Sequence, residues 1–337
     1  MEPLVSVIIP VYNVLPYIRE ALDSVLHQTW QRLEIIIVDD GSDDGSEAVC
    51  DEYRRDDRVI VIHQENRGLS GARNTGLDRM TGEYVAFLDS DDAFHPEMIQ
   101  RMVEAVRRTG AELAVCGYEI RRSEGRLTGA GRTGKVSEVP ETVLSSREVH
   151  ELVCKGRFNP SVWNKLYRAN LLEGLRFPEG RVYEDMFVLP RILEKCGRTA
   201  AVRQPLVLYR KRKGSITETS SVQNIRDCLE SHGALGKYLR GMNPPLPEKT
   251  LEKYLENARR DLIVHWAQAR RTGADPEVCE LVEAEIRRYS GKKLPDQRMR
   301  SRAAWWLYNH CPAAVYPVWA CFQVVKKMMG EDRSPVL

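Results

Sequence analysis

The sequence lacks paired cysteines and any strong excess of one charge. Its eight cysteines include no CxxC pair and no cluster with histidine at the spacing of a zinc site. Such scattered cysteines are typical of reduced thiols in a reducing compartment. Lys and Arg number 50 against 48 Asp and Glu, which gives a formal charge of +2. This balance predicts a protein that does not bind nucleic acid.

The N-terminal region lacks the features of a signal peptide. Glu2 is acidic where a basic residue is typical, and the apolar run at 4–9 ends at Pro10. We therefore expect a cytoplasmic protein. A chain of 337 residues is long enough for a main domain of about 200 residues and a smaller appendage.

Two nucleotide-binding motifs are also missing. The stretch "GAGRTGKV" at 129–136 nearly matches a phosphate-binding loop, but Val136 stands where that loop needs a Ser or Thr hydroxyl for magnesium. No GxGxxG pattern follows the first apolar run, so a dinucleotide-binding domain has no support.

Short β-branched runs alternate with segments of helical periodicity over the first 116 residues. Strands are predicted at 4–9, 33–40, 58–63, 83–89 and 111–117, and most of their residues are apolar. Strands of this kind are buried on both faces, so we predict an α/β domain with a mainly parallel, helix-covered sheet. Ligands of such sheets bind at the carboxyl ends of the strands.

The pattern changes twice along the rest of the chain. Residues 121–146 are rich in Gly, Ser, Thr and Arg and are predicted to form a loop. From about Ile225 the periodicity is helical. We place the domain boundary at 220, between an α/β domain at 1–220 and a helical region at 221–337.

Two acidic clusters follow predicted strands. In "DDGSDDGS", the Gly and Ser residues suit a turn and a helix cap. Turn formation explains Asp39 and Asp40 less well, and a carboxylate at this position can accept an N–H from a nucleobase.

The second cluster is "DSDD" at 89–92. Asp89 and Asp91 lie on the same side of an extended stretch, where their oxygens suit Mg²⁺ or Mn²⁺ with the remaining ligands supplied by water and substrate phosphates. The alternative is a cap for the helix that follows, a role that Asp92 could fill alone. The convergence of three polar strand ends favours the metal.

Four motifs occur in a characteristic order, and together they resemble the family 2 glycosyltransferases of GT-A fold. They are "SVIIPVYN" (6–13), "VDDGSDDGS" (38–46), "NRGLSGARNTG" (66–76) and "FLDSDD" (87–92). Three later stretches resemble the bacterial surface-polysaccharide branch of this family more weakly, and they are "VWNKLYR" (162–168), "YEDMFV" (183–188) and "LYRKRKGSIT" (208–217).

The resemblance implies a site for a nucleotide-sugar donor, most simply a UDP-sugar. By similarity, Pro10 and Tyr12 would border the base, and Asp40 would accept the N3–H of uracil. Arg73 would help to hold the nucleotide. The alternative for Arg73 is a surface arginine paired with Asp89 or Asp78.

The same resemblance implies a metal site and a catalytic base. Asp89 would contact the ribose or the metal, and Asp91 would be the main ligand of Mn²⁺ or Mg²⁺. Asp185 would be the base that deprotonates the acceptor hydroxyl, with Glu184 the next candidate, and direct displacement would invert the anomeric centre. The alternative is that both acids simply start a helix, where the macrodipole favours them.

Basic residues in two of the later motifs could contact the diphosphate. Lys165 and one member of the 210–213 cluster, such as Arg210, are the candidates. The alternative is a solvated charged face.

The segment 303–325 contains no Asp, Glu, Lys or Arg but three Trp and two Tyr residues. In order of preference, it is predicted to lie at a membrane surface, to pack as a helix of a homo-oligomer, or to span the membrane. The expected enzyme therefore works at the inner face of the cell membrane, on a glycan or polyprenyl-linked acceptor.

Two other functions remain open from the sequence. The first is a non-catalytic nucleotide-sugar-binding scaffold of a polysaccharide assembly complex, against which the presence of Asp89, Asp91 and Asp185 argues. The second is a nucleotidyltransferase, which would need a Gly-rich basic loop after the first strand. This chain has "PVYN" there.

Overall fold

A computed structural model describes residues 2–122, 142–212, 221–258 and 280 of the chain. The chain divides into two compact units. The described residues of the first unit are 2–122, 142–150 and 157–212, and those of the second are 151–156, 221–258 and 280. The predicted boundary at 220 and the segment 303–325 lie outside the described residues.

The strands of the described part form one sheet. They are β1 (Val5–Val11), β2 (Leu33–Asp39), β3 (Val59–His63), β4 (Tyr84–Phe87), β5 (Ala93–Phe94), β6 (Leu113–Arg122), β7 (Thr142–Ser145), β8 (Lys165–Arg168) and β9 (Arg198–Lys211). The helices are α1 (Ile18–Leu26), α2 (Ser46–Glu52), α3 (Gly68–Arg79), α4 (Met98–Thr109), α5 (Ser146–Cys154), α6 (Glu184–Lys195), α7 (Val222–Arg240) and α8 (248–258). Short 3₁₀ turns lie at Tyr53–Arg55 and Ala169–Leu172.

The strand order is β3-β2-β1-β4-β8-β6-β9-β5, with β7 paired to β9. Strands β1 to β4 pair in parallel, and β6 pairs in parallel with β9. The predicted α/β fold is therefore confirmed, and all five predicted strands are present as β1, β2, β3, β4 and β6. The sequence did not predict β5, β7, β8 or β9. Of these, β8 pairs antiparallel with both β4 and β6.

Burial explains the continuous apolar runs. Every residue of β1 is buried, and α3 packs against this strand. At Gly76 of α3, a Cβ atom would lie 2.4 Å from Cγ2 of Ile8, so only glycine lets the helix lie this close to the strand.

The parallel register brings three strand ends to one edge of the sheet. Val11 pairs with Asp39, and Ile8 pairs with Phe87. The residues that follow β1, β2 and β4 therefore emerge side by side, as the sequence predicts for a ligand site.

The loop predicted at 121–146 is partly strand. Residues 121 and 122 end β6, and β7 begins at Thr142, while 123–141 lie outside the described residues. Extended pairing with β9 accounts for these strand ends.

In the second unit, the amide of Asn257 in α8 donates to the carbonyl oxygen of Cys154 at 2.9 Å. Tyr254, also in α8, donates its hydroxyl to the carbonyl oxygen of His232 in α7 at 2.6 Å. Within the described ranges, we find no helix with the length and apolar character needed to cross a membrane.

Candidate active site

Asp40 lies directly after β2 and is 2% exposed. Its Oδ1 accepts a hydrogen bond from Nε2 of Gln64 at 2.6 Å and another from the backbone N–H of Arg67 at 2.9 Å. No hydrogen bond to its Oδ2 comes from the described residues. The carboxylate predicted to contact the base is thus held on one side only.

The neighbouring Asp39 belongs to the scaffold. Its Oδ1 accepts the backbone N–H of Ser42 at 3.2 Å, which closes the turn after β2, and its Oδ2 lies 2.8 Å from Nδ1 of His63. This hydrogen bond to Asp39 raises the pKa of His63 above its ordinary value. The sequence argument did not single out His63, which stands at the end of β3 beside Asp39.

Pro10 and Tyr12 differ in accessibility. Pro10 is buried within β1, opposite Val38 of β2. Tyr12 follows the strand and is 50% exposed. The ring of Tyr12 is therefore accessible to a ligand at this edge of the sheet, whereas Pro10 is buried within the strand.

Arg73 in α3 connects two acidic motifs from the protein interior. It is 2% exposed, donates from Nη2 to Oδ1 of Asp89 at 2.7 Å, and donates from Nη1 to Oε1 of Glu184. Its guanidinium also lies 5.4 Å from the ring centre of Phe177. The Asp89 partner agrees with one sequence-based alternative, but the surface position is wrong, and Asp78 instead pairs with Arg176.

The charge of Arg73 is stabilised by these contacts. Burial alone lowers the pKa of the guanidinium, but the carboxylates of Asp89 and Glu184 outweigh this effect and raise it above the ordinary value. Its Nε is buried without a hydrogen-bond partner in the described structure. Arg73 therefore remains a cation that forms an ion pair with two carboxylates at once.

Glu184 and Asp185 form the first turn of α6, as their helix-start pattern predicts. Tyr183 precedes them with φ of 59°, a left-handed conformation that turns the chain sharply into the helix. Oδ1 of Asp185 accepts the backbone N–H of Met186 at 2.7 Å. Burial and the adjacent Glu184 carboxylate raise the pKa of Asp185 to about 6, against the opposing effect of Arg73.

Asp91 and Asp92 follow β4 and have different partners. Oδ2 of Asp91 accepts from Nε of Arg212 at 2.7 Å, while Oδ1 of Asp92 accepts the backbone N–H of Arg210 at 2.7 Å. Burial, followed by the charge of Asp89, raises the pKa of Asp91, and it raises the pKa of the more deeply buried Asp92 well above the ordinary range.

The capping alternative for Asp92 is wrong. The helix that follows begins at Met98, with Glu97 at its N-cap position. Asp92 instead accepts the backbone N–H of Arg210 in β9, so the tertiary structure gives it a structural role.

The residues present fit a divalent cation that takes part of its coordination from a substrate. Within the described ranges, no group of three or more His, Cys, Asp or Glu side chains could hold a metal alone. Asp89 and Asp91 each give one oxygen to an arginine, and the second oxygen of each receives no bond from another described side chain. Two hard carboxylate oxygens suffice where water and phosphates complete the shell, as is typical of Mg²⁺.

Lys165, predicted to contact phosphate, lies in the protein interior. It is 1% exposed, and its ammonium donates to the carbonyl oxygen of Asn159 at 2.6 Å, to Oδ1 of Asn164 at 2.9 Å and to the carbonyl oxygen of Ser161. Burial lowers the pKa of Lys165 to about 7. Because all three N–H groups have acceptors, this geometry supports a structural role and leaves none for a phosphate.

Arg210 is also committed to protein partners. It donates from Nη2 to Glu20 at 2.5 Å and from Nε to the carbonyl oxygen of Asp91 at 2.9 Å, with its guanidinium 5.0 Å from the ring centre of Tyr17. Arg210 therefore stabilises the backbone of the acidic loop at 89–92, and Arg212 is the arginine that contacts the Asp91 carboxylate.

Comparison with known proteins shows which family this chain belongs to. Residues 6–175 match the family described as Glycosyl transferase family 2. This chain belongs to glycosyl transferase family 2. The match contains three strand-end motifs and the buried Arg73, so the resemblance noted in the sequence is confirmed.

Curated relatives support the same assignment. The chain is 34% identical to the glycosyltransferase GlyA of Streptococcus pneumoniae over 81% of its length, and 33% identical to the putative glycosyltransferase EpsH of Bacillus subtilis over 78%. It is 28% identical to the succinoglycan biosynthesis protein ExoO of Rhizobium meliloti, also over 78%. The chain spans 39% of GlyA, 75% of EpsH and 76% of ExoO.

Solved structures share the GT-A fold. Residues 1–349 of TarS from S. aureus superpose with a TM-score of 0.59 at 19% identity, covering 86% of this chain and 92% of TarS 1–349. The mannosyltransferase PcManGT from Pyrobaculum calidifontis superposes with a TM-score of 0.57 at 19% identity, covering 98% of this chain and 87% of the PcManGT chain. The solved structures include TarS 1–349 in complex with UDP-GlcNAc and PcManGT in complex with GDP-Man and Mn²⁺.

Proposed function

We propose that this protein is a metal-dependent, inverting glycosyltransferase. It transfers a hexosyl or N-acetylhexosaminyl group from a nucleotide-diphosphate donor, a UDP-sugar, to a hydroxyl of a glycan or polyprenyl-linked acceptor in bacterial cell-surface polysaccharide synthesis. The observation that carries this proposal is the buried Arg73, which bonds Asp89 of "FLDSDD" and Glu184 of "YEDMFV". A cation shared by the two motifs keeps their carboxylates close enough to act on one substrate.

The donor end of the site binds the nucleotide. Tyr12 offers an exposed ring for stacking on the base, Pro10 lies in the floor beside it, and Asp40 offers Oδ2 to an N–H of the base. The UDP-GlcNAc complex of TarS supports the choice of a uridine nucleotide. Arg73 acts from behind Asp89 by fixing the orientation of this carboxylate.

Asp91 and Asp89 hold Mn²⁺ or Mg²⁺ together with the donor phosphates. The Mn²⁺ complex of PcManGT supports this assignment. A cation held there would supply positive charge to the departing diphosphate. Asp91 is largely buried, and burial together with the charge of Asp89 raises its pKa. A cation bound there would therefore relieve an unfavourable concentration of negative charge.

Asp185 acts as the general base. Its pKa of about 6 leaves the carboxylate ionised at neutral pH while keeping it more basic than an ordinary aspartate. It accepts the proton of the acceptor hydroxyl as the oxygen attacks the anomeric carbon from the side opposite the diphosphate, which inverts that centre. Glu184 accepts a hydrogen bond from Arg73, so it helps to position the first turn of α6 and with it Asp185.

The cellular setting belongs to the same proposal. We place the enzyme at the cytoplasmic face of the cell membrane, held peripherally or within a homo-oligomer through 303–325. The aromatic and uncharged character of that segment supports a membrane-surface role.

A screen of UDP-, GDP- and dTDP-sugars for Mn²⁺-dependent hydrolysis tests the proposed activity. We expect turnover with a UDP-sugar, and its loss when Asp185→Asn removes the base while UDP binding persists. Absence of hydrolysis and of transfer with every donor, in a protein that still binds UDP, would favour the scaffold function instead.

A further inference from the structure

The two oxygens of the Asp40 carboxylate have unequal surroundings. Oδ1 accepts from Nε2 of Gln64 and from the backbone N–H of Arg67, at 2.6 and 2.9 Å. Oδ2 receives no hydrogen bond from any described residue. Because two donors fix Oδ1, the carboxylate cannot rotate without losing both bonds, and Oδ2 stays directed away from them.

Thr75 sets the orientation of the Gln64 amide. The hydroxyl of Thr75 donates to Oε1 of Gln64 at 2.6 Å, which places the amide NH₂ toward Asp40. The reversed amide would set its oxygen against a carboxylate, so only one orientation satisfies all three side chains. The backbone N–H of Gln64 also donates to the carbonyl oxygen of Asp39 at 2.9 Å.

The turn after β2 keeps this group in place. Gly41 adopts φ of +76°, and a Cβ at this residue would lie 3.2 Å from the backbone N of Asn66 and 3.3 Å from the carbonyl oxygen of Gln64. Glycine therefore permits the Asp40 turn to pack directly on residues 64–66. The orientation of Asp40 is built into the fold by close backbone packing.

We propose that Gln64, locked by Thr75, is a specificity-determining positioning residue that makes Asp40 select nucleobases carrying a ring N–H. The inference rests on the proposed function, since it assumes that the donor is a nucleotide. Uracil, thymine and guanine present a ring N–H to Oδ2. Cytosine and adenine present an unprotonated ring nitrogen at the corresponding edge, which a carboxylate repels.

This arrangement makes the effect of Asp40→Asn predictable. Both groups that face Oδ1 are donors, so the new amide turns its oxygen toward Gln64 and Arg67 and its NH₂ toward the ligand. An NH₂ group matches the unprotonated N3 of cytosine and opposes the N3–H of uracil. The substitution therefore reverses the base preference instead of merely weakening binding.

Calorimetric titration with UDP, CDP, GDP and ADP in the presence of Mn²⁺ tests the proposal. We expect the unmodified protein to bind UDP at least about tenfold more tightly than CDP, since a charge-assisted hydrogen bond is replaced by an unpaired acceptor. In Asp40→Asn the ratio should change by about a hundredfold in favour of CDP. Adding Gln64→Glu to this variant puts a carboxylate opposite the new amide. Its charge-assisted bond to the NH₂ is stronger than the neutral bond that the backbone N–H of Arg67 gives to the amide oxygen, so the amide turns back and at least tenfold of the UDP preference should return.

A matched control and a second ligand keep the test decisive. Gln100 on α4 also donates to a carboxylate, that of Glu104 at 2.9 Å, so Gln100→Glu controls for the charge change and should leave the ratio unaltered. If Asp40→Asn does not fold, the unmodified protein is titrated with 3-methyl-UDP, which lacks the ring N–H. We expect at least tenfold weaker binding than for UDP.

The outcomes separate this inference from the proposed function. Equal affinity for UDP and CDP, an unchanged ratio in Asp40→Asn, or equal affinity for UDP and its 3-methyl derivative would each overturn the inference while leaving a nucleotide-dependent enzyme. Tightest binding of GDP would overturn the uridine donor but support ring N–H selection. Failure to bind any nucleotide would overturn both.

Discussion

Arg212 donates from Nε to Oδ2 of Asp91 across 2.7 Å, with both side chains largely buried. The guanidinium of Arg212 also lies 5.5 Å from the ring centre of Tyr17. A cation that directly follows β9 therefore occupies one oxygen of the carboxylate that we assign to the metal. The arginine neutralises Asp91 as long as no divalent cation does so.

From this relationship we predict that Arg212→Gln tightens Mn²⁺ binding by the nucleotide-free protein. Removing a partly buried ion pair of this kind corresponds to up to about 1 kcal/mol, or roughly a fivefold change in affinity. Electron paramagnetic resonance of free Mn²⁺ measures the effect. Arg19→Gln, which breaks the exposed pair with Glu52, is the control and should leave Mn²⁺ affinity unaltered. Weaker Mn²⁺ binding in Arg212→Gln would show that the arginine supports the metal site.

Asp91 and Asp92 allow a matched pair of substitutions. We predict that Asp91→Asn abolishes the Mn²⁺-dependent part of UDP binding, because the main metal ligand loses its charge. Asp92→Asn should retain this part, since Asp92 accepts the backbone N–H of Arg210 and is not assigned to the metal. Calorimetry with UDP, with and without Mn²⁺, distinguishes the two variants. Equal losses in both would contradict the assignment of Asp91 as the metal ligand.

The raised pKa of Asp185 predicts the pH dependence of catalysis. Its carboxyl must lose a proton to act as base, so kcat should rise with pH, bend at about 6, and stay level above that value. Glu184 lies beside it, so the measured value belongs to the pair. A profile of kcat against pH from 4 to 9 tests this prediction, and a bend near 4 would mean that the base has an ordinary pKa.

The same shift has a consequence for stability. The pKa of Asp185 is higher in the folded protein than the ordinary value of about 3.9 in the unfolded chain, so the folded state binds the proton more tightly. Folding therefore loses stability as pH rises from about 4 to 6, and the loss stays constant above that range. Asp185→Asn should be more resistant to urea than the unmodified protein at pH 7.5 and nearly equal to it at pH 4.

Arg73 is predicted to stabilise the folded protein. Arg73→Met leaves the carboxylates of Asp89 and Glu184 without a cation in a buried site, which we expect to lower the free energy of unfolding by about 3–5 kcal/mol. Arg176→Met, which breaks the exposed pair with Asp78, should cost less than about 1 kcal/mol. Urea titration gives both values. A cost for Arg73→Met as small as that of the control would remove the basis for the shared cation.

Much of the fold can be predicted from the sequence because the relevant signals are local. Buried parallel strands require continuous apolar runs, and β1, β2 and β4 occur where such runs occur. The edge strand β3 is also apolar in sequence but only partly buried, because it has one neighbouring strand. Polar and acidic residues that end these strands must emerge at one edge of the sheet. The positions of Tyr12, Asp40 and Asp91 near that edge follow from this rule alone.

The partners of the charged residues could not be predicted in this way. Arg73 and Glu184 are 111 positions apart, and no local pattern indicates that they touch. Lys165 lies in a motif that also suits a phosphate contact, and only the folded chain shows its ammonium enclosed by three acceptors. Strand β8, which contains Lys165, is short and enters the sheet antiparallel, so it lacks the long apolar run of the other central strands.

The family, the five apolar strands with the helices between them, and the acidic residues at the sheet edge follow from the amino-acid sequence, because periodicity and motif spacing depend on neighbours in the chain. What each charge does at that edge depends on the tertiary structure. It directed Arg73 to two motifs, Arg212 to Asp91, and Gln64 to one oxygen of Asp40. The physical reason is that a buried charge or polar group must find a partner, and the topology of the sheet determines which distant side chains are within reach.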